Sequence, residues 1–143
     1  MTIQEIISAI GLIGLGGLLK GLLDFFIADK KRKSETKHQF KETRYKAIIL
    51  LCYTYVNFER EGTTIIVQRP DIDSKERLYN ELNAEWINMI LYASDKVLLS
   101  MKNFLESGKE SEFNELIISM RKDLYGIKTK ISMRNLKLLT KPD

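Results

Sequence analysis

Charged residues are scarce in the first 28 positions of the chain and dense after them. Between Ile6 and Ile27 only Lys20 and Asp24 carry a charge, and nearly every other position is apolar or glycine. A helix needs about 20 apolar residues to cross a bilayer, so this stretch is long enough if both charges are tolerated. The pattern predicts a single transmembrane helix within residues 1–28.

The free energy of inserting this helix is close to balanced. A charge at the centre of a membrane helix costs about 2.5–3.5 kcal/mol on insertion scales, whereas each Leu, Ile or Phe returns about 0.3–0.6 kcal/mol. The stretch contains thirteen Leu, Ile and Phe residues, which roughly offset its two charges. We therefore expect the helix to insert together with partner helices. A helix lying in the plane of the interface is the competing interpretation.

The charges and most of the small residues gather on one side of this helix. At about 100° per residue they fall within an arc of about 120°, and every aromatic residue lies opposite. Lys20 and Asp24 are four positions apart and can neutralise each other, and a GxxxG step lets membrane helices approach closely. We predict that copies associate through this side, which we call the polar stripe, with packing or pore-lining roles for Ala9, Gly16, Gly17, Lys20, Gly21 and Asp24.

Four basic residues follow the apolar helix directly and are named the basic collar: Lys30, Lys31, Arg32 and Lys33. The short N-terminal tail contains Glu5 and no Lys or Arg. The positive-inside rule then places the C-terminal domain in the cytoplasm. The collar also attracts anionic lipid, by about 1 kcal/mol for each basic residue near the surface.

The net charge of +4 comes from one region of the chain. Residues 29–46 hold eight basic and three acidic residues, a net charge of +5, so the remainder of the chain sums to −1. A basic block beside an apolar helix is typical of a membrane boundary, and nucleic-acid binding is disfavoured. We predict a basic juxtamembrane helix here and a cytoplasmic helical domain over residues 47–143.

The apolar run 47–58 is short for a second span and predicts the central helix of a soluble core. A re-entrant membrane segment is the competing interpretation. Gly62 is expected to end this helix, and residues 62–73 are expected to form a loop whose Thr-Thr-Ile-Ile-Val run is extended. Asp71 and Asp73 in that loop predict turn and helix-capping chemistry in preference to catalysis.

Apolar residues then recur every three or four positions for about thirty residues, which predicts one long helix. They are Leu78, Leu82, Trp86, Ile90, Ala93, Val97, Met101 and Phe104. Gly108 is expected to end it. A further helix is predicted from its N-cap Ser111 to Tyr125, with Gly126 as terminator, and a short one after Ser132. The predicted fold is all-α: a transmembrane helix followed by a cytoplasmic helical bundle with long helices.

Catalytic and metal-binding signatures are missing from the sequence. The chain has one His and one Cys, so we expect no internal disulfide, no metal, no cofactor and no enzymatic activity. Arg32 and His38, with five residues between them, match the spacing of an Arg and His pair in HEPN ribonucleases, where the His takes part in proton transfer. Because this pair lies in the basic juxtamembrane run, we interpret it as a chance match.

The plan of a glycine-rich apolar helix, a basic collar and a small helical domain resembles membrane-anchored accessory proteins of bacterial anti-phage loci. The pore-forming, HEPN-like accessory protein of some RNA-targeting CRISPR systems is one of these. The segment 120–126, Met-Arg-Lys-Asp-Leu-Tyr-Gly, is also similar to an ending found in small bacterial membrane proteins. The resemblance implies an oligomer that perturbs the membrane when infection triggers it. Its implied partners are lipids, further copies and a second protein of the same system.

An adaptor is the alternative hypothesis from the sequence. In that case the N-terminal helix is an anchor, and the helical domain recruits a cytoplasmic partner to the membrane. The charged side of the N-terminal helix favours the membrane effector over the adaptor, because a passive anchor has no use for charges in lipid.

Overall fold

The computed structural model describes the backbone of residues 3–129 and 131 and the side chains of residues 20–129 and 131. Within that part the chain forms helices and no strands, so the all-α prediction is confirmed. The five helices are α1 (Ile3–Val56), α2 (Phe58–Gln68), α3 (Lys75–Met89), α4 (Asp95–Ser107) and α5 (Glu110–Tyr125). The chain divides into two compact units, residues 1–39 and residues 40–143.

The hydrophobic core belongs to the second unit. The last part of α1 contributes Tyr45, Ile48 and Cys52, which share one helix face because they are three and four positions apart. The predicted core role of the apolar run 47–58 is confirmed by the burial of Ile48 and Cys52. Helices α3, α4 and α5 pack in sequence order, α3 against α4 and α4 against α5. They bury Leu78, Leu82, Met89, Val97, Met101, Phe104, Phe113, Leu116 and Met120.

The predicted ends of α4 and α5 are confirmed. Gly108 and Gly126 adopt left-handed φ values of 63° and 67°, which glycine reaches without the steric cost of a Cβ atom. Their backbone N–H groups donate to the carbonyl oxygens of Phe104 and Lys122, each over 2.8 Å. Helix α5 begins at Glu110, one residue before the predicted N-cap Ser111.

The prediction of one long helix over residues 78–104 is wrong, because a turn at residues 90–94 divides it into α3 and α4. Short-range backbone bonds, such as Leu91 N to Asn88 O at 3.1 Å, form this turn. The indole N–H of Trp86 donates to the carbonyl oxygen of Leu98 over 3.2 Å, which holds the two helices side by side. Both helices bury apolar residues in the same core. Apolar residues therefore recur every three or four positions on both sides of the turn.

The prediction that Gly62 ends a helix is also wrong, as is the extended Thr-Thr-Ile-Ile-Val run, and the predicted loop 62–73 is confirmed only from residue 69 onward. The break falls at Asn57, whose side-chain amide donates to the carbonyl oxygen of Tyr53 over 3.0 Å. Gly62 lies buried inside α2, where a Cβ atom would come within 3.1 Å of the Phe58 ring. The helix therefore uses this glycine for close packing, and it continues to Gln68 just before Pro70.

No helix among the described residues is both long enough and apolar enough to cross a membrane. Three residues of the polar stripe, Ala9, Gly16 and Gly17, lie outside the residues whose side chains are described. The transmembrane helix within residues 1–28 therefore stays a prediction. The short helix predicted after Ser132 lies outside the described residues as well.

Candidate membrane-interacting segment

A run of large apolar side chains on α1 is open to solvent. Leu22, Leu23, Phe25, Phe26 and Ile27 each expose between 55% and 68% of their surface. At about 100° per residue they cover an arc of about 200°, more than half of the helix circumference. An arc this wide exceeds the stripe of a helix that buries one face against a soluble core. This wide apolar surface is therefore suited to contact with lipid or with other helices.

The described residues of the polar stripe occupy the remaining side of the same helix. Lys20, Gly21 and Asp24 are exposed, and Ala28 extends their side by one more turn. A Cβ atom added at Gly21 would meet nothing within 4 Å, so this part of the helix surface is open. Among the described ion pairs none joins Lys20 to Asp24, although their spacing allows one.

The basic collar surrounds the helix. Lys30, Lys31, Arg32 and Lys33 are all exposed, and consecutive residues about 100° apart point to all sides. Two of them pair with Asp29, Lys33 over 2.7 Å and Arg32 over 3.8 Å. At a membrane boundary, lipid headgroups surround a helix and can contact basic residues on all of its sides. A nucleic acid contacts one side of a protein, so its binding would need the basic residues on a single face.

The Arg32 and His38 pair stays on the surface of the first unit. Both side chains are exposed, and their spacing of six positions puts them about 120° apart around α1. The Arg32 guanidinium forms an ion pair with the Asp29 carboxylate. The pair lacks the packed core in which one group could orient the other for proton transfer.

A charged network inside the second unit was missed by the sequence analysis. The Nζ atom of Lys41 lies 2.6 Å from Oδ2 of Asp123, and the Tyr45 hydroxyl donates to the same oxygen over 2.5 Å. The Nη2 atom of Arg44 donates to both carboxylate oxygens of Glu85 over 2.5 and 2.6 Å. Three members of the network thus come from residues 40–46, which the sequence analysis assigned to the juxtamembrane helix.

Burial and hydrogen bonding act in opposite directions on Asp123. Burial favours the neutral acid, but hydrogen bonds from Lys41 and Tyr45 outweigh it and hold the pKa of Asp123 below its usual range. Burial, together with the bond to Asp123, raises the pKa of the Tyr45 hydroxyl. The Asp123 carboxylate is therefore charged and the Tyr45 phenol is neutral. This arrangement suits a structural role, in which the hydrogen bond links α1 to α5.

The acidic residues before α3 are engaged in local ion pairs. Arg69 Nη2 lies 2.6 Å from Asp71 and 3.4 Å from Glu81, and Arg77 lies 3.2 Å from Asp73. Hydrogen bonding to Arg69 lowers the pKa of Asp71.

These contacts agree with the predicted turn chemistry, except that the helix cap is Ser74, whose Oγ accepts from Arg77 N over 3.2 Å. In the described part of the chain no group of three or more His, Cys, Asp or Glu residues could hold a metal ion.

Comparisons with known proteins return no match for this chain, neither a family model nor a curated protein nor a solved structure. The functional argument therefore rests on the residues described above.

Proposed function

We propose that this protein is an oligomeric membrane effector of a bacterial anti-phage system, held in the inner membrane by the N-terminal part of α1. In this proposal residues 1–28 cross the membrane and the helical domain lies in the cytoplasm. The observation that supports it most is the exposure of the five apolar side chains from Leu22 to Ile27 immediately before the basic collar. Along the helix, an apolar surface is followed by a ring of basic residues, in the same order in which the hydrocarbon core of a bilayer is followed by its headgroup region.

Energetics support assembly in preference to a lone span. The charges of Lys20 and Asp24 cost about 2.5–3.5 kcal/mol each at the centre of a bilayer, which nearly cancels the gain from the apolar residues. A copy that turns its polar stripe toward other copies removes both charges from lipid. Small residues such as Gly21 then allow the helices to approach closely. An assembly of this kind encloses charged positions, and water in its centre makes it a pore.

Membrane depolarisation tests this proposal. The full chain is expressed in bacterial cells with a membrane-potential dye, beside a Lys20→Leu/Asp24→Leu variant. The matched control is Leu22→Ile/Phe26→Leu, which keeps an apolar surface on the opposite side. We expect depolarisation by the native chain and the control, and its loss in the stripe variant. Equal depolarisation by all three, or by none, would contradict a pore built on the polar stripe.

The adaptor is the second candidate function, and a feature of α3 favours it. The exposed positions Asn80, Asn83, Ala84, Ile87 and Asn88 carry no charge, although charged residues make up 29% of the chain. Uncharged helix faces with an exposed Ile are typical of protein interfaces, which are depleted of charge at their centre. A stable complex with a cytoplasmic protein, lost in an Ile87→Glu variant and found without depolarisation, would favour the adaptor.

A further inference from the structure

Exposed apolar side chains gather at one end of the second unit, which we call the apolar end: Phe40, Ile90, Leu91, Tyr125 and Ile127. The start of α1 in this unit meets the α3–α4 turn there, because the Phe40 and Tyr92 rings lie 5.6 Å apart in an edge-to-face contact. The end of α5 lies beside them, because the Tyr92 ring is 5.9 Å from the Tyr45 ring and Tyr45 donates to Asp123.

The α3–α4 turn presents its apolar side chains from an ordered backbone. Three successive backbone N–H groups, of Ile90, Leu91 and Tyr92, donate to carbonyl oxygens three residues earlier over 3.1 to 3.3 Å. Leu91 exposes 87% of its surface, the largest exposure among the described large apolar residues. One exposed Leu is ordinary on a soluble protein, but a patch shared by three elements marks an interaction site.

The charges around the apolar end favour an anionic partner. On the α1 and α5 side of this end, Asp123 and Glu42 are each matched by a lysine within 2.6 Å, Lys41 for the former and Lys46 for the latter. Lys122 and Lys128 are exposed beside them on the α5 side, and on the turn side Asp95 and Lys96 cancel. A second copy would bring two basic rims together, whereas anionic phospholipid headgroups complement them.

We propose that the apolar end is a second membrane contact, at which Ile90 and Leu91 enter the boundary between lipid headgroups and acyl chains. This inference rests on the proposed function, because it takes the protein to be held at a membrane. Tyr125 suits the same boundary, since its exposed side chain combines an apolar ring with a polar hydroxyl. The second unit then contacts the lipid surface through its apolar end.

Depth-dependent quenching tests the contact on the full chain. An environment-sensitive fluorophore is attached at Leu91→Cys, in vesicles of phosphatidylethanolamine and phosphatidylglycerol with spin labels on the acyl chains. The native Cys52 is fully buried, and labelling of the unsubstituted chain checks that it does not react. The matched control is Leu50→Cys on α1, a site that is 66% exposed and lies ten positions after Phe40, about 15 Å along the helix.

We expect at least two-fold stronger quenching at position 91 than at position 50. Equal quenching at the two sites in chains that sediment with the vesicles would overturn the second contact and leave the membrane anchor in place. A chain that stays in the supernatant would overturn the proposed function and this inference together. Self-quenching at position 91 that grows with protein density, without acyl-chain quenching, would overturn it in favour of contact between copies.

Discussion

Tyr45 donates a hydrogen bond to Asp123 across 78 positions of the sequence and joins α1 to α5 over 2.5 Å. Lys41 reaches the same carboxylate oxygen from one turn earlier on α1. This relationship decides how the part of α1 that follows the basic collar is held by the rest of the second unit.

Removing the Tyr45 hydroxyl should destabilise the second unit. Hydrogen bonds to charged groups contribute about 1.5–3 kcal/mol, so we expect Tyr45→Phe to lower the free energy of unfolding by about that amount. Urea unfolding followed by circular dichroism of the full chain in detergent measures it. Tyr53→Phe is the matched control, because its hydroxyl contacts Arg60 at an exposed site and its loss should cost less than about 0.5 kcal/mol. Equal losses would contradict a special role for the Tyr45–Asp123 bond.

The stability of the second unit should fall at acid pH through Asp123. Its pKa is lower in the folded than in the unfolded chain, so its stabilising contribution is complete above the unfolded pKa of about 3.9. That contribution is lost as pH falls from this value through the folded pKa. Urea midpoints at pH 7, 5 and 3 should drop between the last two, and Asp123→Asn should reduce the drop. An unchanged pH profile in that variant would contradict the assignment.

A side chain at Gly108 should be costly. The residue has a φ of +63°, and a left-handed conformation costs a residue with a Cβ atom about 1–2 kcal/mol. The new methyl group would also contact the Tyr55 ring at 3.4 Å. We expect Gly108→Ala to lower the free energy of unfolding by about that amount. Gly21→Ala is the control, because nothing lies within 4 Å of its added Cβ atom and it should leave the unfolding of the second unit unchanged.

Truncation of Phe104 should have the largest effect on the core. Its ring is fully buried and packs against Tyr55 and Phe113 at centroid distances of 6.0 and 5.9 Å. Deleting a buried Phe side chain costs about 3–5 kcal/mol, so Phe104→Ala should leave little of the cooperative unfolding transition. Leu99→Ala on the exposed side of α4 should shift the transition by less than about 0.5 kcal/mol. A similar shift in both variants would contradict the packing of α4.

The parts of the fold that the sequence predicts are those with local signals. Helix α5 has an apolar face and a terminating Gly126, and both are read within a few positions. The α3–α4 turn has no glycine or proline, and Ile90 and Ala93 keep the apolar spacing, so local patterns cannot show the break. Gly62 shows the opposite error, because its close contact with Phe58 makes it part of α2.

In the candidate membrane-interacting segment, too, the sequence predicts the features with local signals and not those that depend on tertiary contacts. The apolar residues and the basic collar are contiguous, so the sequence alone indicates a membrane boundary at this segment. The charged network could not be predicted, because Arg44 and Glu85 are 41 positions apart and Tyr45 and Asp123 are 78 apart. Only the packing of α1 against α3 and α5 brings them together, and it places Lys41 and Arg44, which the sequence assigned to the juxtamembrane helix, in ion pairs of the second unit.

Extraction of bacterial membranes with alkaline carbonate tests the central claim most directly, because it separates a helix that spans the bilayer from one that rests on it. The full chain carries a C-terminal tag and is compared with a variant in which Leu22, Leu23 and Phe26 are replaced by Asn. The account predicts that the native chain stays in the membrane pellet, that the variant is released, and that the tag is digested only in inverted vesicles. Release of the native chain into the supernatant would contradict it.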